Sequence, residues 1–179
     1  MGQDDQTPPN KAASLTERLE QAYETMLERV RHTLDELDDK LTPRLTHALK
    51  AARERAEELG ELSREESELI ADYVQRDVED AGEYFARTGG DIRDWLKFDL
   101  ELVEDRLLEW LMKAADQTDL ELLSLQEQAE RTRYYHTGEI TGPGTLACSA
   151  CGQTLRFQKA GHIPPCPKCH GQEFLRARK

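Results

Sequence analysis

Cys148-Ser149-Ala150-Cys151 and Cys166-Pro167-Lys168-Cys169 are two Cys-x2-Cys pairs fourteen residues apart, and they hold all four cysteines of a 179-residue chain. Two residues between paired cysteines form a tight turn that aims both sulfurs at one point. A hairpin across the gap can bring the two points together into a tetrahedral thiolate cage. Cys148, Cys151, Cys166 and Cys169 are therefore the expected metal ligands, with one Zn2+ per chain. Iron is the lesser alternative, because a cage of four thiolates accepts either metal. Disulfides are the competing use of four cysteines. Met1 to Ala13 lacks the apolar run of a secretion signal, and no stretch approaches the length of a membrane span. A reducing cytoplasm is the expected location, and thiolates the expected state.

Working outward from the cysteines, residues 134–179 read as a four-cysteine zinc ribbon. Thr145-Leu146-Ala147 and Thr154-Leu155-Arg156-Phe157 are strand candidates around the first cysteine pair, and Phe174-Leu175-Arg176 is a third after the second pair. So short a module holds few large apolar side chains, so metal binding is expected to supply most of its stability. A glycine after the second cysteine of a knuckle eases a left-handed turn, as Gly152 does. The second knuckle carries His170 at that place, which a left-handed turn accepts less readily. An exposed turn is also the simplest reading of His170 as a side chain, since four thiolates already complete a ligand set.

Residues 14–133 read as an acidic helical region, preceded by a disordered tail at 1–13. Ser14 and Glu17 match a capping box, in which a hydroxyl and a carboxylate each satisfy an amide at a helix start. Apolar positions then recur every eleven residues: Leu19, Tyr23, Met26; Val30, Leu34, Leu37; Leu41, Leu45, Ala48; Ala52, Ala56, Leu59. Eleven residues in three turns keep one stripe aligned along a nearly straight helix. Thr42-Pro43 interrupts the stripe and favours a break or sharp kink. Gly60 stands at a C-cap, and Ser63 with Glu66 opens a helix carrying Leu69, Ile70, Val74, Val78, Ala81 and Phe85. Gly89-Gly90 ends it. Asp91 caps a further helix with Ile92, Leu96, Leu100, Val103, Leu107 and Trp110, and a last helix runs from near Thr118 to about Arg133. The expected fold is mainly α: long antiparallel helices, as a bundle or an extended hairpin, followed by a small β zinc ribbon.

Charge narrows the partners. The chain carries a formal −12. From Tyr134 onward there are six Lys or Arg against two Glu, whereas the preceding residues hold 18 basic and 34 acidic side chains. That long acidic part repels nucleic-acid phosphates. Arg156, Phe157, Lys159, Lys168, Arg176, Arg178 and Lys179 are the candidate contacts if the ribbon meets RNA or DNA, with Phe157 better placed as ribbon core.

Ala52 to Glu66 with its Gly60-Glu61-Leu62-Ser63, Tyr135-His136-Thr137-Gly138-Glu139 and the two knuckles together make this chain resemble the bacterial zinc-ribbon-containing family of uncharacterised function. The likeness covers roughly Tyr23 to the C-terminus. It implies a helical N-terminal region, a zinc ribbon and Cys148, Cys151, Cys166 and Cys169 as ligands. It implies no reaction.

The resulting expectation is a noncatalytic interaction protein whose ribbon docks to a protein partner, with homo-oligomerisation as a further use of its apolar helix faces, Trp95 and Trp110 included. One variant is a regulator acting on RNA polymerase through an acidic helical arm with Asp91 and Asp94 at its tip. A rubredoxin-like redox protein is another. A di-iron bundle beside such a site needs Glu-x-x-His on two helices, and the residues three before the five histidines are Arg29, Arg44, Arg133, Lys159 and Pro167. No phosphate-binding glycine loop or Gly-x-Ser-x-Gly elbow occurs, and a closed four-thiolate site leaves no open position for substrate, so no enzyme is expected.

Overall fold

The computed structural model describes residues 11–36, 44–88 and 134–177. Among them are three helices, α1 (Lys11–Glu36), α2 (Arg44–Glu58) and α3 (Arg64–Thr88), and six short strands. The strands are β1 (Tyr134–His136), β2 (Ile140–Thr141), β3 (Gly144–Cys148), β4 (Thr154–Phe157), β5 (Gly161–His162) and β6 (Glu173–Arg176). Leu37, Leu41, Pro43, Asp91, Asp94, Trp95, Trp110, the two helices expected after Gly90, Arg178 and Lys179 lie outside the described residues, and Phe85 outside the described side chains.

The expectation of a mainly α chain built as a bundle or extended hairpin of long helices is overturned. The helices are of modest length, 26, 15 and 25 residues, and they share one core with part of a sheet-rich C-terminal region. The physical reason lies in the caps and in what closes the apolar faces. α1 and α2 are separate helices packed on each other. At the end of α2, Gly60 adopts φ +66, while Gly60 N–H donates to Glu57 O and Glu61 N–H to Ala56 O, the bonding of a Schellman cap. The next helix begins at once: Ser63 N–H donates to Glu66 Oε2 at 2.9 Å and Glu66 N–H to Ser63 Oγ at 3.2 Å, the reciprocal capping box. At the other end of the helical part, α1 starts at Lys11, so Ser14 lies inside it rather than at its cap.

The stripe becomes the core. Tyr23, Met26, Leu27, Val30 and Leu34 of α1 meet Leu45, Ala48, Leu49, Ala52 and Ala56 of α2, and Ile70, Val74, Val78 and Ala81 of α3. Alanines at four-residue spacing leave α2 a shallow face that lets its neighbours approach closely. Leu59, just past α2, and Leu69, turned aside from Ile70, are 48% and 45% exposed and do not join it. Ile140 of β2 and Ala160, just before β5, do. β2 and β5 pair with each other as a two-stranded ribbon against the helices, while β1, β6, β3 and β4 form an antiparallel sheet in that order. The sheet buries Tyr135, Leu146, Ile163 and Phe174 with Cys148 and Cys166 in a second core. No helix among the described residues is long and apolar enough to cross a membrane.

Candidate metal centre

Each cysteine pair sits in a turn built from the same hydrogen bonds. In the first, Cys148 N–H donates to Gln153 O at 2.8 Å and Gly152 N–H to Cys148 O at 2.9 Å. In the second, Cys166 N–H donates to Gly171 O at 2.9 Å and His170 N–H to Cys166 O at 2.8 Å. Gly152 and His170 occupy equivalent places with φ +72 and +58. His170 therefore follows the glycine's left-handed path and keeps the turn, at the steric penalty that a Cβ brings to this region.

β3 delivers Cys148 at its end, and the pairing of Cys148 with Phe174 fixes where β6 leaves the second knuckle. The four sulfurs converge to within 4.8 Å of one another. Cys148 and Cys169 are 3.6 Å apart, as are Cys151 and Cys166. Bonds of about 2.3 Å to a tetrahedral ion would space sulfurs about 3.8 Å apart, so this donor set fits a four-thiolate metal site. All four cysteines are free of disulfide bonds. Gly171 is part of the fit, since a Cβ there would stand 3.1 Å from Cys148 Sγ and 3.3 Å from Cys169 Sγ.

The knuckle backbone supports negative charge on sulfur. Burial raises the Cys166 thiol, but the amides of Cys169 and Lys168 and the thiols of Cys151 and Cys169 donate to it and bring it down to about 7. Cys169 receives the Gly171 amide, yet its hydrogen bond with Cys151, burial, and those with Cys148 and Cys166 push it up to about 12. Thiols crowded this closely share protons, and a divalent cation is what lets all four become thiolates together.

At the end of β3 and β6 away from the sulfur cluster lies a buried ionic cluster that joins the ribbon to the helices. Asp77 of α3 has a fully buried side chain. It accepts the Tyr23 hydroxyl at 2.7 Å and the Gly142 N–H at 2.6 Å, and Arg176 Nη2 lies 3.3 Å away. Arg176 also donates to Tyr135 Oη at 2.9 Å and stands 3.3 Å from Asp80. Burial opposes the Arg176 charge, but Tyr135, Asp77 and Asp80 raise its pKa above the usual range. Burial likewise raises the Tyr23 and Tyr135 hydroxyls, leaving both neutral, with Tyr23 donating to Asp77 and Tyr135 accepting from Arg176. Arg76 lies over the Tyr135 ring at 3.9 Å, pairs with Glu139 and donates to Ile140 O at 2.9 Å.

These contacts bear on two sequence expectations, those for Arg176 and Phe157. Arg176 is a buried structural cation, not a phosphate contact, whereas Arg156, Lys159 and Lys168 are exposed. Phe157 packs against the ribbon core, the reading favoured for it over a stacking contact. The ribbon is also tied to the helices, because its Ile140 and Ala160 pack in the helical core and Asp77 of α3 meets Arg176. Sequence reasoning missed Arg76 and Asp77. The available signal was two adjacent charges set between Val74 and Val78, on the apolar stripe itself.

A family model for a zinc-ribbon containing domain matches residues 32–178. Among curated proteins, "Uncharacterized protein YbeL" from three strains of Escherichia coli is 28% identical over 128 residues, spanning 72% of this chain and 79% of the relative. No solved structure matches. With paired knuckles, four converging sulfurs and a family match over most of its length, the chain belongs to the zinc-ribbon containing domain family.

Proposed function

We propose that Cys148, Cys151, Cys166 and Cys169 hold one zinc ion and that the chain is a noncatalytic interaction protein of the cytoplasm, its ribbon docking to a macromolecular partner. The observation that carries this reading is the convergence of four cysteine sulfurs in a closed donor set. When bound, zinc supplies fold stability and rigidity, since four thiolates leave no open position for substrate or water. The chain's own residues then present the surface. Pro167, Lys168, Cys169 and His170 form an exposed knuckle tip. On the sheet, Tyr134 and Leu175 face each other across β1 and β6 and are 47% and 36% exposed. An exposed aromatic and aliphatic pair beside a rigid turn favours a protein partner. Nucleic acid is disfavoured by the acidic helices and by the withdrawal of Arg176 into the core.

Cross-linking in native cells through Lys159 and Lys168, read by mass spectrometry, tests this. The reading expects cross-links to a defined protein, lost when Cys151→Ser removes a ligand. Cross-links only within the chain, or only to a second copy of it, would overturn docking to a different protein. Links to RNA would move the ribbon to nucleic-acid binding.

A further inference from the structure

β3 and β6 have the sulfur cluster at one end and the buried ionic cluster at the other. Cys148 pairs with Phe174, Ser149 N–H donates to Glu173 O, and two residues beyond Phe174 the strand places Arg176 against Asp77. Gly144, at the far end of β3 from Cys148, leaves the space that the Arg176 guanidinium fills. Asp77 thus depends on the ribbon. Of its close partners, Gly142, Thr141 and Arg176 come from the ribbon region, Tyr23 comes from α1, and Arg76, 3.5 Å away, comes from α3 itself. Its neighbour Arg76 reaches Glu139 and Ile140 O in the same region.

A buried carboxylate that loses one of its two cations and its backbone donor together keeps only Arg76 and the Tyr23 hydroxyl against its charge, which destabilises the core around it. Metal release frees the two knuckles and with them the start of β6. We propose that metal occupancy and closure of the helical core are a single linked equilibrium, with Asp77 as the coupling residue between them. This rests on the zinc reading above and adds a consequence to it: loss of the metal opens the α1–α3 face that Asp77, Tyr23 and Ile140 now close. Linkage is reciprocal, so whatever weakens the Asp77 cluster weakens metal affinity at cysteines that Asp77 does not touch. Asp77 is a positioning residue in this scheme, acting through Arg176 and β6.

The test uses the full chain. Zinc affinity is measured by chelator competition for the wild type and Asp77→Asn, and amide hydrogen exchange of the wild type is followed with and without chelator. Asp77→Asn is expected to bind zinc about 5- to 150-fold more weakly, the usual range of coupling between linked sites. Chelation of the wild type is expected to raise exchange around Asp77 in α3 and Tyr23 in α1 as well as in the ribbon. Equal zinc affinities, or a rise in exchange confined to residues 134–177, would overturn the coupling and leave the zinc site standing. A wild type that takes up no zinc would remove both. If Asp77→Asn does not fold, the wild-type exchange comparison decides alone.

Discussion

Gly144→Ala probes the join between ribbon and helices at its tightest point. Gly144 has φ +147, where L side chains are strained, and a Cβ there would stand 2.0 Å from Arg176 Nη1 and 3.1 Å from its Cζ. A surface arginine would swing away at little cost. Arg176 cannot, because its guanidinium is held by Pro143 O, Tyr135, Asp77 and Asp80 in a fully buried pocket. Backbone strain at such a position costs about 1–3 kcal/mol, and prising the arginine from a buried partner costs about 3–5 kcal/mol. The two are not additive, since a shift that relieves one relieves part of the other. The expected loss is about 4 kcal/mol. Gly138→Ala is the matched control: φ is +97, but no atom lies within 4 Å of its Cβ position, so only strain of about 1–3 kcal/mol applies. Urea unfolding of both variants and the wild type at one fixed zinc concentration, followed by circular dichroism, gives the comparison, with unchanged slopes confirming that stability alone has moved. Were Gly144→Ala to lose no more than Gly138→Ala, the argument that Arg176 is immovably held would be wrong.

Three further outcomes follow from the same contacts. Tyr23→Phe removes a hydroxyl donated to the buried Asp77 carboxylate and should cost about 1.5–3 kcal/mol in urea unfolding; no loss would mean that Asp77 does not rely on it. His170→Gly relieves a left-handed residue at about 1–2 kcal/mol, offset by about 0.5–1 kcal/mol of added chain entropy, so the thermal midpoint of the zinc-loaded protein should rise slightly; a fall would reveal a contribution from the imidazole. The Ser63 amide and Arg18 hold Glu66 below the usual carboxylate range, and Arg29 does the same for Glu61. A carboxyl with a depressed folded pKa contributes stability that is present above the unfolded value, about 4.3, and is lost as pH falls through the folded one. The stability difference between wild type and Glu66→Gln should therefore be constant near neutrality and shrink below about pH 4; a difference that grows with acid would contradict the assignment.

What could be read from the residues was what local chemistry encodes. Cysteine spacing announced the knuckles, Gly60 with Ser63 and Glu66 announced the end of one helix and the start of the next, and Thr154–Phe157 was readable as a strand from its residue types. Ile140–Thr141 and Gly161–His162 are too short to carry a period, and Tyr134–His136 is defined by its pairing with β6 rather than by propensity. The fold class went astray for the same reason. Whether amphipathic helices stack into a bundle or close on a sheet depends on contacts such as Tyr23 to Asp77, 54 residues apart, and Arg176 to Asp77, 99 apart. Arg176 itself gave no sign of burial, because an isolated arginine near a chain terminus is ordinarily solvated.

Metal content of the chain purified without added metal, measured with its visible spectrum, tests the central claim most directly. The account predicts one colourless zinc per chain, lost when Cys148 or Cys166 is replaced by serine. Stoichiometric iron with thiolate-to-iron absorption, or a folded protein carrying no metal and four reactive thiols, would contradict it.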